Sequence, residues 1–317
     1  MHRMKLLITG ISGFIGRTMV EEIVNRQLPI DIYGLDIKQP VFLNPSYLKY
    51  IYFTIVDIRD NDALNRYFSD KHFDGVIHLA AISRVVDAEN DKLNCINVNL
   101  KGTMYLVDIL AKSPDTWLIF GSSREVYGEQ KEFPVKESAR KQPVNIYGEC
   151  KLQGECFIKE KLNKYAILRF SNVYGNDYDI DGRVIPTFVK RALTDQILYL
   201  EGGEQTIDFT HISDTVTCIL DTIRLLQTNQ IRTEEMHISP GRTNKITDII
   251  HYLELITGKK LKIQIREKRH YDVEHFVGNS SHREQILGKK SFISLKDGIE
   301  LMINVPKSST FAVGKAE

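Results

Sequence analysis

The stretch Ile8-Thr9-Gly10-Ile11-Ser12-Gly13-Phe14-Ile15-Gly16, which continues the apolar run begun at Leu6-Leu7, constrains this chain more than any other. It reads as the end of a strand, a tight turn and the opening of a helix. Glycines at such a junction let the backbone approach a phosphate closely and present the N–H groups of a helix N-terminus to it. The spacing is Gly-x-x-Gly-x-x-Gly rather than the Gly-x-Gly-x-x-Gly of the commonest dinucleotide fingerprint. Taken alone, the turn therefore also admits a plain structural reading.

The segments that follow decide between the two. A strand over about Lys5–Thr9 leads into a helix with apolar positions Phe14, Ile15, Met19, Val20, Ile23 and Val24, a helical rhythm. Ile30–Asp36 is a second strand ending in an acid, 20 residues past Gly16. A dinucleotide site needs a carboxylate about there for the adenosine ribose hydroxyls. An acid at that point repels a 2′-phosphate, which favours NAD over NADP, although Lys38 stands two residues on. Tyr50–Val56 is a third strand closing on Asp57, which either accepts from an adenine amino group or N-caps the next helix. Asp74–Leu79 is a fourth, running into Ala80-Ala81, small enough for a cofactor to lie against the backbone; His78 reads as a packed structural histidine. A long helix over Ile96–Lys112 carries Asn99, and Thr116–Phe120 is a fifth strand. Strands alternating with helices predict an α/β fold, a doubly wound parallel sheet covered on both faces. Ligands of such a sheet lie beyond the carboxyl ends of its strands, where the glycine turn, Asp36 and Ala80-Ala81 all fall.

Charge adds exclusions. With 42 Lys+Arg against 41 Asp+Glu over 317 residues, nothing points to a nucleic-acid or membrane-surface partner. No apolar run approaches the ~20 residues of a membrane span, and the chain enters its first strand without a signal-type apolar segment. Cys95, Cys150, Cys156 and Cys218 lack metal-type spacing, and Cys150 and Cys156 point to different faces of one helix. No metal and a reducing, cytoplasmic setting are expected.

The chemistry is expected after the fifth strand, at Gly121-Ser122-Ser123-Arg124-Glu125, and on a helix opening with Tyr147-Gly148-Glu149-Cys150-Lys151. Tyr147 and Lys151 share one helical face. A free tyrosine titrates near ~10, and lowering it by ~3 units takes about 4 kcal/mol. An ammonium about 4 Å away supplies roughly that at an effective dielectric near 20, before desolvation is subtracted. Tyr147 then takes the proton from a substrate hydroxyl as hydride leaves. Ser123 hydrogen-bonds the same hydroxyl, and Lys151 also holds the nicotinamide ribose.

These motifs, in this order, resemble the extended short-chain dehydrogenases/reductases of the nucleotide-sugar epimerase/dehydratase family. The similarity runs from the glycine turn to about Leu301. It takes in Asp36, Asp57, His78-Leu79-Ala80-Ala81, Asn99 with Gly102-Thr103, and the serine and tyrosine motifs. Leu168–Gly175, Val184-Ile185-Pro186 and Gly203–Phe209 continue it. The resemblance implies an NAD-binding Rossmann domain over 1–170 and a smaller α/β nucleotide-sugar lobe over 171–306, with segments interleaved between them. Residues 307–317 would form a flexible tail. It implies NAD contacts from Gly10, Gly13, Phe14, Ile15, Gly16, Asp36, Asp57, Ile58, Leu79, Ala80, Ala81, Asn99, Tyr147 and Lys151. Ser123, Tyr147 and Lys151 would be catalytic, with Glu125 a further candidate. Ser83, Ser123, Arg124, Asn172, Val184 and Arg269 would contact a nucleotide-diphosphate sugar. A homodimer through the helices at Ile96–Lys112 and Tyr147–Leu162 is implied as well. The chain departs from the family at Ile207, where an arginine usually clamps the diphosphate. Arg269 matches the family's other phosphate arginine, and it or Arg183 would carry more of that charge.

Three reactions share this apparatus: 4-epimerisation, 4-keto reduction and 4,6-dehydration. Dehydratases resembling this chain carry Thr-Asp-Glu where it has Ser123-Arg124-Glu125, and an arginine does not donate a proton at neutral pH. An epimerase recycles NAD, so Asp36 favours a 4-epimerase like UDP-glucose 4-epimerase. Glu125 pulls toward a keto-reductase. A catalytically inert dinucleotide-binding regulator is the alternative outside enzymes, and the intact Ser123, Tyr147 and Lys151 argue against it.

Overall fold

The structure, a computed structural model, describes residues 3–179, 182–269 and 271–304. The tail expected over 307–317 lies outside the described residues. The elements in chain order begin β1 (Met4–Thr9), α1 (Phe14–Asn25), β2 (Ile30–Asp36), β3 (Ile51–Ile55), α2 (Asn61–Phe68) and β4 (Gly75–His78). Next come α3 (Val85–Asn90), α4 (Lys92–Cys95), α5 (Thr103–Leu110), β5 (Trp117–Ser123), α6 (Ile146–Lys161), β6 (Tyr165–Phe170), β7 (Asn172–Tyr174) and α7 (Val184–Leu193). They continue with β8 (Leu198–Glu201), β9 (Thr206–Ile207), β10 (Phe209–His211), α8 (Ile212–Gln227), β11 (Thr233–Ile238), β12 (Asn244–Lys245) and α9 (Ile246–Thr257). β13 (Ile263–Arg266), β14 (His275–Phe276), α10 (Ser281–Leu287) and α11 (Leu295–Asn304) are the last among the described residues.

Seven strands form one sheet in the order β11-β6-β5-β4-β1-β2-β3, every pair parallel. The strand order reverses between β1 and β4, which opens a crevice at their carboxyl ends. Alternate side chains of one strand feed opposite cores. Leu6 and Ile8 join Met19, Val20 and Ile23 of α1 and Val216, Ile219 and Ile223 of α8. Leu7 joins Leu64 of α2, Leu106, Val107 and Leu110 of α5, and Ile158 of α6. Burial on both faces is why the strands read as nearly continuous apolar runs.

The smaller lobe gathers around Ile185, Phe188 and Val189 of α7, Ile249, Ile250 and Leu253 of α9, and Leu295 and Ile299 of α11. These cover short pairings: β8 with β13, β7 with β10, and β9 with β12 and β14. α8 and β11 return to the main sheet in the middle of this region of the chain.

Two differences from the boundaries read in the sequence bear on the site. β5 does not stop at Phe120; Gly121, Ser122 and Ser123 stay paired with Leu168, Arg169 and Phe170 of β6. Ser123 is thus held by the sheet rather than by a loop. The long helix expected over Ile96–Lys112 is interrupted by a wide π-type turn over Ile96–Gly102, with α5 following. Such turns commonly bring a functional side chain round to a site. Here the turn aims the Asn99 amide at Ile82: it accepts from Ile82 N at 2.8 Å and donates to Ile82 O at 2.9 Å.

Candidate active site

A cleft of about 1020 Å³ lies between the carboxyl ends of the main sheet and the smaller lobe. Its floor starts at the glycine turn. Gly10 has φ +73°, and a Cβ there would stand 2.5 Å from Ala80 N. A Cβ on Gly16 would stand 2.7 Å from Gly10 O. The turn is therefore folded against the β4 end too tightly for any side chain. Gly13 occupies the N-cap position of α1, with no side-chain cap and no acid in the first turn, so the helix opens onto the cleft with its N–H groups unopposed. Asp36 ends β2 beside it, accepting from Ser12 N at 3.0 Å and Ile37 N at 2.8 Å. An apposed helix N-terminus, a cradle without side chains and a fixed carboxylate fit a dinucleotide's pyrophosphate and ribose.

Phe14, Ile15, Ile58, Leu79, Ala80 and Ala81 line the same cleft. Asp57 does too, but it is not the cap of α2: Asp60 accepts from Ala63 N at 2.9 Å and takes that role. Asp57 is ion-paired with Arg59 at 2.6 Å, and the hydrogen bond from that guanidinium holds its carboxyl below the usual range. Asn99, unlike the other expected NAD contacts, is not among the residues that line the cleft. It is fully buried and spends its amide on Ile82, so it shapes the Ala80–Ile82 wall from behind. His78 is buried between Thr9 and Thr103, and burial depresses it to about 3.

The reactive group candidates converge deeper in. Ser123 ends β5 and N-caps a 3-10 turn over Arg124–Tyr127, its Oγ accepting from Glu125 N at 3.2 Å. Tyr147 lies in the first turn of α6, which Asn145 caps through Gly148 N at 2.8 Å. Lys151 follows one turn later, donating to Gly121 O at 2.7 Å with its ammonium 5.9 Å from the centre of the Tyr147 ring. Burial pushes Tyr147 up to about 12, against the pull of a hydrogen bond with Ser123 and the charge of Arg183. Burial lowers Lys151 to about 8. Lys151 is the residue expected to lower Tyr147. The ammonium faces the Gly121 carbonyl, and desolvation of the phenol dominates at Tyr147.

Glu125 is buried. Arg124 Nη2 lies 3.0 Å from its Oε1, and Asn145 Nδ2 donates to its Oε2 at 2.8 Å. Arg124 Nε donates to Asn172 Oδ1 at 2.9 Å, tying the two expected substrate contacts together. Ser83 accepts from Arg183 Nη2 at 3.3 Å, and Val184 lines the cleft. Arg269 lies with Nε 2.9 Å from carboxylates of both Glu201 and Asp272, close ion pairs without aligned hydrogen bonds. Ile207 is buried in the core of the smaller lobe.

Sequence reasoning missed the support behind this floor. Ser122 Oγ donates to Glu155 Oε1 at 2.5 Å, and Glu155 is held in turn by the fully buried Arg169 at 2.7 Å. It also missed the double use of Asn145, whose place immediately before the Tyr147 helix was a capping signal that could have been read. Asp208, between β9 and β10, accepts from Gly241 N at 3.1 Å and Gly278 N at 3.2 Å.

A parallel sheet with a glycine turn at its switch point, and a serine, tyrosine and lysine assembled beyond it, define a dinucleotide-dependent enzyme of the short-chain dehydrogenase type. The chain belongs to the NAD-dependent epimerase/dehydratase family, which it matches over residues 6–233. A Methanocaldococcus jannaschii protein, whose name carries UDP-glucose 4-epimerase as a provisional assignment, is 30% identical over 316 residues, covering 96% of this chain and 99% of its own. The structure of the Thermotoga maritima UDP-glucose 4-epimerase with UDP-glucose has a TM-score of 0.85 at 27% identity, over 95% of this chain and 97% of that one. That of the Bacillus cereus UDP-glucuronic acid 4-epimerase with UDP-glucuronic acid and NAD has a TM-score of 0.83 at 26% identity, over 95% and 98%. Among the described residues, no helix is long and apolar enough to cross a membrane.

Proposed function

We propose that this enzyme interconverts C4 epimers of a nucleoside-diphosphate hexose through a 4-keto intermediate, with UDP-glucose and UDP-galactose the first pair to test. The observation that carries the reading is the convergence of Ser123, Tyr147 and Lys151 at the end of β5, in the cleft that begins at the glycine turn. NAD, when bound, supplies the hydride acceptor and donor. Tyr147 takes the proton from the C4 hydroxyl and returns it, Ser123 orients that oxygen, and Lys151 holds the cofactor ribose and adds positive charge beside the phenol. Gly10, Gly13, Phe14, Ile15 and Gly16 seat the pyrophosphate, Asp36 the adenosine ribose and Asp57 the adenine end; Ile58, Leu79, Ala80 and Ala81 form the walls. Ser83, Arg124, Asn172, Val184 and Arg269 face the sugar nucleotide. Asn99 acts as a positioning residue.

Arg124 and Glu125 support epimerisation over dehydration. Elimination of water needs an acid for the leaving hydroxyl, and the residue after Ser123 is a guanidinium bound to Glu125 and Asn172. Glu125 anchors Arg124 rather than moving protons. A cytoplasmic homodimer through the helices at Ile96–Lys112 and Tyr147–Leu162 belongs to the same reading.

The test is incubation of the purified protein with UDP-, dTDP-, GDP- and CDP-hexoses, products being read by NMR. Inversion at C4 with no change in mass and no stoichiometric cofactor consumption is expected, and Tyr147→Phe should lower turnover by roughly 10²–10⁴-fold. Loss of water, net NAD(P)H consumption, or undiminished turnover in the Tyr147 variant would each overturn it.

A further inference from the structure

The arginines of the smaller lobe that line the cleft fall into two groups. Arg269 is neutralised twice over, by Glu201 and Asp272, each at 2.9 Å, and Arg183 lies 3.4 Å from Asp179. Arg191 and Arg266 have no carboxylate partner among the described residues. Instead both lie against one aromatic ring. The Arg266 guanidinium is 3.4 Å from the centre of the Tyr199 ring and that of Arg191 is 4.7 Å from it. Arg191 Nη1 also donates to Ile197 O at 2.8 Å, which fixes its orientation. All three residues line the cleft. The last turn of α7 places Arg191 there, β8 Tyr199 and β13 Arg266, with Arg266 in register beside Glu201 and Glu201 already spent on Arg269.

We infer that Arg191 and Arg266, braced on Tyr199, form the clamp for the diphosphate of the nucleotide sugar. The inference rests on the nucleotide-sugar reading of this cleft. Two guanidinium groups held near one ring repel each other, and a doubly charged anion between them relieves that repulsion. The planar fork of guanidinium matches phosphate oxygens two at a time. The aromatic ring holds both forks in place by cation–π contact without neutralising either. β9 offers no competing cation, because Ile207 is buried in the lobe core. Arg269 in this arrangement brackets Glu201 of β8 to Asp272, so its charge is already matched.

The experiment is isothermal titration of the NAD-loaded protein with UDP, dTDP, GDP and CDP, followed by the tightest of these on R191Q, R266Q and the double variant. The matching nucleoside without phosphates is titrated in parallel, and thermal melts confirm folding. Each single variant should bind the diphosphate roughly tenfold more weakly, and the double variant more weakly again. Binding of the bare nucleoside should not change, and R266K should recover part of the loss. In turnover, KM should rise while kcat holds, the pattern of a lost uniform binding contact. Diphosphate binding by the folded double variant within twofold of the parent overturns the clamp while leaving the reaction untouched. Absence of any diphosphate binding by the parent overturns the clamp and the nucleotide-sugar reading together. Diphosphate binding that depends on the arginines, in a protein that does not invert C4, upholds the clamp and overturns only the reaction.

Discussion

Arg124 and Glu125 are adjacent in sequence, each about nine-tenths buried, and oppositely charged. Removing one member of such a pair leaves the other as an unpaired buried charge. Arg124→Ala should therefore destabilise the fold by about 3 kcal/mol, measured by denaturant unfolding. The double replacement of both by alanine should cost less than the sum of the singles, as expected for groups in direct contact. Asp36 has a different job, since its two oxygens are held by Ser12 N and Ile37 N at the mouth of the site. Asp36→Asn keeps the shape and removes the charge. NAD affinity should fall by about tenfold and the preference over NADP should narrow, both readable by titration of each cofactor.

At the scale of single elements, α6 and the glycine turn carry the catalytic geometry. Asn145→Ala removes the cap of α6, worth about 1 kcal/mol, and also releases Glu125 Oε2 and Tyr271 O. The melting temperature should drop by several degrees, with turnover falling further than the melt alone accounts for. Gly10→Ala puts a methyl 2.5 Å from Ala80 N at a positive φ; bound NAD should be lost, shown by its absence after denaturation. Much of this was legible beforehand. The glycine turn, the helical spacing of Tyr147 and Lys151, and the strands up to Phe120 follow local rules of period and turn chemistry. What escaped was set by contacts between distant residues. Nothing in Gly121-Ser122-Ser123 says that β6 will keep them paired, and nothing around Asn99 says that its amide will meet the Ile82 backbone. The pairing of Glu125 with Asn145, and of Ser122 with Glu155 and Arg169, likewise exists only once α6 lies across β5. Even Cys95 and Cys150, far apart in the chain, meet in one buried cluster with Tyr147.

For the whole molecule, the buried titratable groups set a pH limit. Burial holds His78 at about 3, His211 at about 4 and His237 at about 3. An unfolded histidine titrates near ~6.5, so below that pH the unfolded chain takes up protons that the folded one refuses. Stability from these groups is present above ~6.5 and is lost as pH falls toward about 4. Asp208 works the other way: burial raises it to about 7, so in the same range the folded protein keeps a proton that the unfolded chain releases. Burial also raises Glu21, Asp214 and Asp272, but the three histidines, displaced furthest across this range, leave acidification net destabilising. The melting temperature at pH 5 should lie several degrees below that at pH 7, and an equal or higher value at pH 5 would contradict this assignment.

The return of α8 and β11 to the main sheet bears on how the chain is made. As it emerges from a ribosome, everything up to β6 can begin to pair, but β6 stays an open edge until residue 238 is free. Until then Arg169, which ends up with no exposed side-chain surface, lacks its second carboxylate, Glu235. The cofactor-binding half is therefore not finished first and handed a substrate lobe afterwards. The later segment closes the earlier one, so the two halves of the cleft mature together.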